Sequence, residues 1–140
     1  MTKQKVLVVG GAGYIGSHVC QALIAAGHES VVFDNLSTGH KENILPESKF
    51  IEGDILDQAA LQNAMQGITS VVHLAALKAA GDSMKDPARF ATQNLSGTVN
   101  LLNASLEAGV KTFVFSSSAA VYGEPDYVPM DEAHPTRPMN

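Results

Sequence analysis

The sequence predicts an α/β fold built on a doubly wound parallel sheet, and three observations carry that prediction. Short apolar runs rich in β-branched residues alternate with segments of helical spacing along the chain, a pattern that yields parallel strands joined by right-handed crossovers, with helices on both faces. A glycine-rich turn, Gly10-Gly11-Ala12-Gly13-Tyr14-Ile15-Gly16, directly follows the first run. Charged residues make up only 16% of the 140, which suits strands covered on both faces, where little of the chain meets water.

The elements follow in order. Residues 6–9 (Val-Leu-Val-Val) read as a buried parallel strand. Helical spacing runs from Ile15 through Val19, Leu23 and Ile24, and Gly27 supplies a left-handed stop. A second strand over residues 30–33 ends at Asp34-Asn35, and a third over residues 49–51 closes at Gly53-Asp54. Asp57 caps a helix through Leu61 and Met65 that Gly67 ends. The fourth strand covers residues 70–74. Asp86-Pro87 opens a helix that runs to Ala108, with proline at its first position. The fifth strand covers residues 111–115 and leads into Ser116-Ser117-Ser118. Residues 1–122 form the predicted dinucleotide-binding unit. Residues 123–140, with prolines at 125, 129, 135 and 138, are expected to be loop. A doubly wound dinucleotide fold has a sixth strand, so the sheet reads as truncated after its fifth, with an apolar edge left to cover.

Composition narrows the function classes. The net charge of −5, with no basic stripe, argues against a nucleic-acid partner. No apolar run approaches the ~18 residues of a membrane span, so no membrane partner is expected. The single cysteine, Cys20, cannot form an internal disulfide and suits a reducing, cytoplasmic setting. It reads as a small core residue rather than a nucleophile. The histidines at 18, 28, 40, 73 and 134 show no metal-ligand spacing with a carboxylate or thiolate.

The glycine turn carries the chemistry. It reads as G-x-G-x-x-G from Gly11 or as G-x-x-G-x-x-G from Gly10. Either way the glycines allow a sharp turn, close backbone approach to a pyrophosphate, and tight helix–strand packing. The helix that opens there offers free N–H groups and a positive dipole end to phosphate. A tight turn without ligand would use the same glycines, but Asp34 at the end of the second strand supplies a second sign. A carboxylate there accepts from an adenosine ribose and repels a 2′-phosphate. No arginine lies in residues 35–40, so NAD is expected over NADP. Asp54-Ile55 falls where an adenine ring would lie, although a turn or cap carboxylate explains Asp54 equally well. His73 reads as a satisfied core residue, and Leu74, Ala75 and Ala76 let backbone lie against a cofactor. Ser116, Ser117 and Ser118 stand at the ligand-facing end of the fifth strand, which favours contact with nicotinamide and substrate over a plain turn.

Together, Val9 to His18, Asp34-Asn35-Leu36, Glu52-Gly53-Asp54-Ile55, His73-Leu74-Ala75-Ala76-Leu77-Lys78 and Phe115 to Gly123 resemble the extended short-chain dehydrogenase/reductases. Within these they resemble the N-terminal part of the UDP-glucose 4-epimerases, with Leu77-Lys78-Ala79 and Gly81-Asp82-Ser83 as the most discriminating piece. The resemblance implies a Rossmann fold and residue roles. Gly10, Gly13, Tyr14, Ile15 and Gly16 would hold the NAD pyrophosphate; Asp34, Asn35, Ser37, Thr38 and Gly39 would hold the adenosine ribose and its phosphate. Asp54 and Ile55 would flank the adenine. Leu74, Ala75, Ala76 and Lys78 would line the cofactor's path, Asn94 and Ser116 would complete its pocket, and Ser118 matches the catalytic serine.

The reaction so implied is C4 epimerisation of UDP-glucose and UDP-galactose through a 4-keto sugar, with the cofactor regenerated in each turnover. Its base is a tyrosine followed four residues later by a lysine. Here Tyr14, Tyr122 and Tyr127 are followed at that spacing by His18, Asp126 and Asp131. The sequence given therefore reads as the cofactor-binding part of such an enzyme, inactive by itself. A homodimer pairing through the helix over residues 86–108 is also implied. Other readings are a sugar-nucleotide dehydratase, decarboxylase or UDP-glucuronate epimerase on the same fold, or a non-catalytic NAD-binding module.

Overall fold

A computed structural model describes residues 2–139. Five strands form one parallel sheet: β1 (Lys5–Val9), β2 (Glu29–Asp34), β3 (Lys49–Glu52), β4 (Ser70–His73) and β5 (Thr112–Phe115), in the order β3-β2-β1-β4-β5. The chain winds outward from β1 to β3, then returns to the other side of β1 for β4 and β5. The direction of winding thus reverses between β1 and β4, whose carboxyl ends part to leave the crevice where such sheets take ligands. Pairing of Val9 with both Phe33 and His73 sets the register at that end.

Strict alternation along the central strands divides the core. Leu7, Val9, Val31, Phe33 and Val71 pack against Leu61 and Ala64 of α2 (Gln58–Ala64) and Leu101 and Ala104 of α5 (Gly97–Glu107). Val6, Val8 and Val32 face Cys20, Val19 and Leu23 of α1 (Tyr14–Ala25). Cys20 is 1% exposed, and burial pushes its thiol pKa up, away from nucleophile chemistry. The edge strand β5 is half-covered: Phe113 packs on the α5 face, while Val114 and Phe115 stay 51% and 57% exposed.

Two features depart from the sequence reading. Residues 80–85 form a short helix, α3 (Ala80–Lys85), which their polar sequence did not signal. The expected single helix over 86–108 is three pieces, α4 (Pro87–Phe90), a wide π turn over Ala91–Ser96, and α5. The Gly97 N–H reaches back five residues to the Thr92 carbonyl, the signature of a π turn. Asp57 caps α2 as expected, accepting from the Ala60 N–H at 3.0 Å. A 3-10 turn spans Ala119–Tyr122; residues 123–139 form no helix or strand.

Candidate functional site

The site begins at the turn after β1. Gly10 takes φ +85°, and a Cβ there would lie 2.7 Å from the Ala75 backbone nitrogen. Gly10 thus lets the β1 and β4 loops touch. A Cβ on Gly16 would strike the Gly10 carbonyl oxygen, so that glycine closes the turn on its own helix. Gly11 serves the core: its Cβ would sit 2.9 Å from the Val32 side chain. Gly10, Gly13 and Gly16 border the crevice and Gly11 does not, the spacing of the reading that starts at Gly10. Gly13 is the N-cap of α1, with no side-chain cap and no acidic residue in the first turn. The helix's leading N–H groups are therefore left to an anion.

Asp34 ends β2 and is 9% exposed. Its Oδ2 accepts from the Ala12 N–H at 3.0 Å and its Oδ1 from the Leu36 N–H at 2.8 Å. Each oxygen keeps a further lone pair for a ligand hydroxyl. The second bond holds Leu36 at φ 57°, an uncommon conformation for a branched side chain. The Ala12 carbonyl in turn accepts from the His40 N–H and from Asn43 Nδ2, both at 3.0 Å, so residues 34–43 are laced onto the glycine turn.

Asp54 serves as the turn carboxylate and also borders the crevice. It accepts from the Leu56 N–H at 2.9 Å. Asn35 Nδ2 and Gln93 Nε2 donate to it at 2.7 and 3.2 Å. Burial opposes its charge, but these three hydrogen bonds outweigh that and hold the carboxyl below its ordinary range. Neighbouring Ile55 packs where Gly97 has no side chain, since a Cβ there would lie 2.5 Å from Ile55 Cδ1. Asn100 Nδ2 donates to the Ile55 carbonyl at 3.3 Å.

His73 is 2% exposed, and burial lowers its pKa. It sits against the Phe113 and Phe115 rings, with Nε2 2.9 Å from Thr98 Oγ1. The expectation of a satisfied core histidine holds for one nitrogen only, since Nδ1 has no partner among the described residues. Ser118 accepts from the Ala120 N–H at 3.1 Å as the cap of the 3-10 turn, which leaves its hydroxyl proton free to donate.

These pieces border one open cleft of about 970 Å³. The structure brings all the sequence-expected positions to it: Gly10, Gly13 to Gly16, Asp34, Asn35, Ser37 to Gly39, Asp54, Ile55, Leu74 to Ala76, Lys78, Asn94, Ser116 and Ser118. Tyr14 and Ile15 stand on its lip, 78% and 59% exposed. Gln93, Thr98, Arg89 and Phe90 also line it and escaped the sequence reading. Thr98 was accessible to it, being one helical turn from Asn94. Nothing local marks Arg89, which only the fold brings to the same cleft as Thr38. No metal-binding cluster occurs among the described residues, and no described helix is long and apolar enough to cross a membrane.

A winding reversal, a glycine turn feeding an uncapped helix start and an acidic residue closing β2 define the class of α/β dinucleotide-fold proteins. Within it, residues 6–140 match the NAD dependent epimerase/dehydratase family, and the chain belongs to that family. It is 49% identical over 142 residues to a UDP-glucose 4-epimerase of Rhizobium meliloti, covering all of this chain and 43% of that protein. It superposes on the UDP-glucose 4-epimerase of Brucella ovis in complex with NAD at TM-score 0.93 and 44% identity, covering 98% of this chain and 42% of that one. The UDP-glucose 4-epimerase of Thermotoga maritima with UDP-glucose gives TM-score 0.89 at 40% identity, covering 96% and 45%. The chain thus spans under half the length of the relatives it matches.

Proposed function

We propose that this chain is the NAD-binding part of a UDP-glucose/UDP-galactose 4-epimerase. The observation that carries the reading is the joining of the uncapped N-terminus of α1 and the Asp34 carboxylate in one cleft with Ser118 at its far end. The pyrophosphate would lie against Gly10, Gly13 and Gly16, beneath Tyr14 and Ile15. Asp34 and Asn35, with Ser37, Thr38 and Gly39, would receive the adenosine ribose, and Asp54 and Ile55 the adenine. Leu74, Ala75, Ala76, Lys78, Asn94 and Ser116 would border the nicotinamide half. The Asp34 charge disfavours a 2′-phosphate, which supports NAD over NADP.

Bound NAD supplies the hydride acceptor and donor for one sugar carbon. Ser118 would donate its free hydroxyl proton in a hydrogen bond to the sugar oxygen at that carbon. A UDP-sugar is the partner this implies. A homodimer through the helical stretch over residues 86–108 is supported by Leu95 of the π turn and Val99, Leu102 and Leu106 of α5, spaced at helical intervals and each at least 39% exposed. The test is a chimera in which residues 1–140 replace the matching part of the Rhizobium meliloti epimerase. It should interconvert UDP-glucose and UDP-galactose, and Ser118→Ala should slow it about a hundredfold. A folded, NAD-loaded chimera without that activity would refute the reading.

A further inference from the structure

Asn94, in the π turn, grips one residue of the opposite cleft wall at two points. Its Oδ1 accepts from the Leu77 N–H at 2.8 Å and its Nδ2 donates to the Leu77 carbonyl at 2.9 Å. A side-chain amide used in both senses on one residue fixes that residue's plane as well as its position. Leu77 continues the Leu74–Lys78 stretch of cleft wall, so the clamp sets its backbone.

The clamp has its own support. Thr98 Oγ1 lies 2.6 Å from the Asn94 carbonyl oxygen and 2.9 Å from His73 Nε2. A carbonyl only accepts, so the hydroxyl's single proton is directed there. His73 Nε2 must then carry a hydrogen and donate to Thr98. Burial keeps the ring neutral, so Nδ1 is a bare acceptor, the same atom that has no partner among the described residues. A buried orphan acceptor is destabilising, and its companion nitrogen has one evident use, the bond to Thr98. The hydroxyl's bond to the carbonyl four residues back also bends a helix, here at a turn already widened.

We propose that Thr98 and His73 are positioning residues for the cleft. The column from His73 Nε2–H to Thr98 Oγ–H to the Asn94 carbonyl sets the π turn from which Asn94 grips Leu77, and so sets the wall against which a dinucleotide lies. The inference rests on the dinucleotide reading of the cleft given above.

The experiment compares Thr98→Val, which keeps shape and loses the hydroxyl, with Thr98→Ser, which restores it. Hydrogen exchange at the Leu77 amide is measured on the free chain, and NAD affinity by titration. Thr98→Val should speed Leu77 exchange beyond any change in global unfolding and raise the Kd for NAD about three- to tenfold. Thr98→Ser should return both to wild-type values. Nitrogen NMR of His73 should show the Nε2–H tautomer. An unchanged Leu77 rate in Thr98→Val, a change matching global destabilisation alone, or an Nδ1–H tautomer would overturn the proposal. If Leu77 exchange responds while the wild-type chain binds no NAD, the column stands and the dinucleotide reading fails.

Discussion

Gly10 and Gly27 offer a matched pair for measuring what the cleft demands of the backbone. Both have positive φ, +85° and +82°, but their surroundings differ. A Cβ at Gly27 meets nothing within 4 Å, whereas one at Gly10 would lie 2.7 Å from the Ala75 nitrogen and 3.0 Å from its Cα. Gly27→Ala therefore carries the left-handed penalty alone, about 1–2 kcal/mol. Gly10→Ala carries that penalty plus overpacking against backbone that cannot rotate away, about 1–3 kcal/mol more. The sum is a large part of the 5–15 kcal/mol typical of a domain. Urea unfolding of both variants at constant m-value measures the difference. Gly10→Ala should also weaken NAD binding, because relief requires the β1 and β4 loops to part, while Gly27→Ala should not. Equal destabilisation by the two substitutions would refute the reasoning that Gly10 is required by close approach across the crevice.

Three further outcomes are expected. Asp34→Ala leaves the Ala12 and Leu36 N–H groups without their charged acceptor, which should destabilise the fold by about 2–4 kcal/mol and erase discrimination between NAD and NADP, read by denaturation and parallel titrations. For His73 the sign follows from burial: its folded pKa lies below the ordinary 6.5, so the unfolded chain binds the proton first and stability falls as pH drops below about 6.5. His73→Gln should flatten that slope in unfolding free energies measured at several pH values. His134, 4% exposed between the Tyr122 and Tyr127 rings, accepts from the Asp126 N–H at 3.0 Å; His134→Ala should loosen residues 123–139, seen as faster limited proteolysis there with little change in the sheet.

Much of this was legible in the residues because the signals are local. Residues 6–9 and 31–33 are apolar throughout, and a strand buried on both faces has that composition. Asp34 was legible because it directly follows the apolar run of its strand, which it closes. The α3 helix was not, since Gly81, Asp82 and Ser83 favour helix weakly and its formation depends on where β4 delivers the chain. The π turn was hidden for a related reason: residues 87–107 have ordinary helical periodicity, and the widening is set by contacts from Leu77, His73 and Asp54, at least 17 residues away in sequence. Asp54 shows the limit most clearly. Its sequence context allowed a turn or a ligand-side carboxylate, and in the folded chain it makes the turn bond while standing on the cleft.

The central claim is that Gly10 to Gly16 and Asp34 form a dinucleotide site selective for NAD. Calorimetric titration of the 140-residue chain with NAD and NADP tests it most directly. One NAD per chain, with at least tenfold weaker binding of NADP, is the result the account requires. The absence of saturable NAD binding by the folded chain, or a preference for NADP, would contradict it.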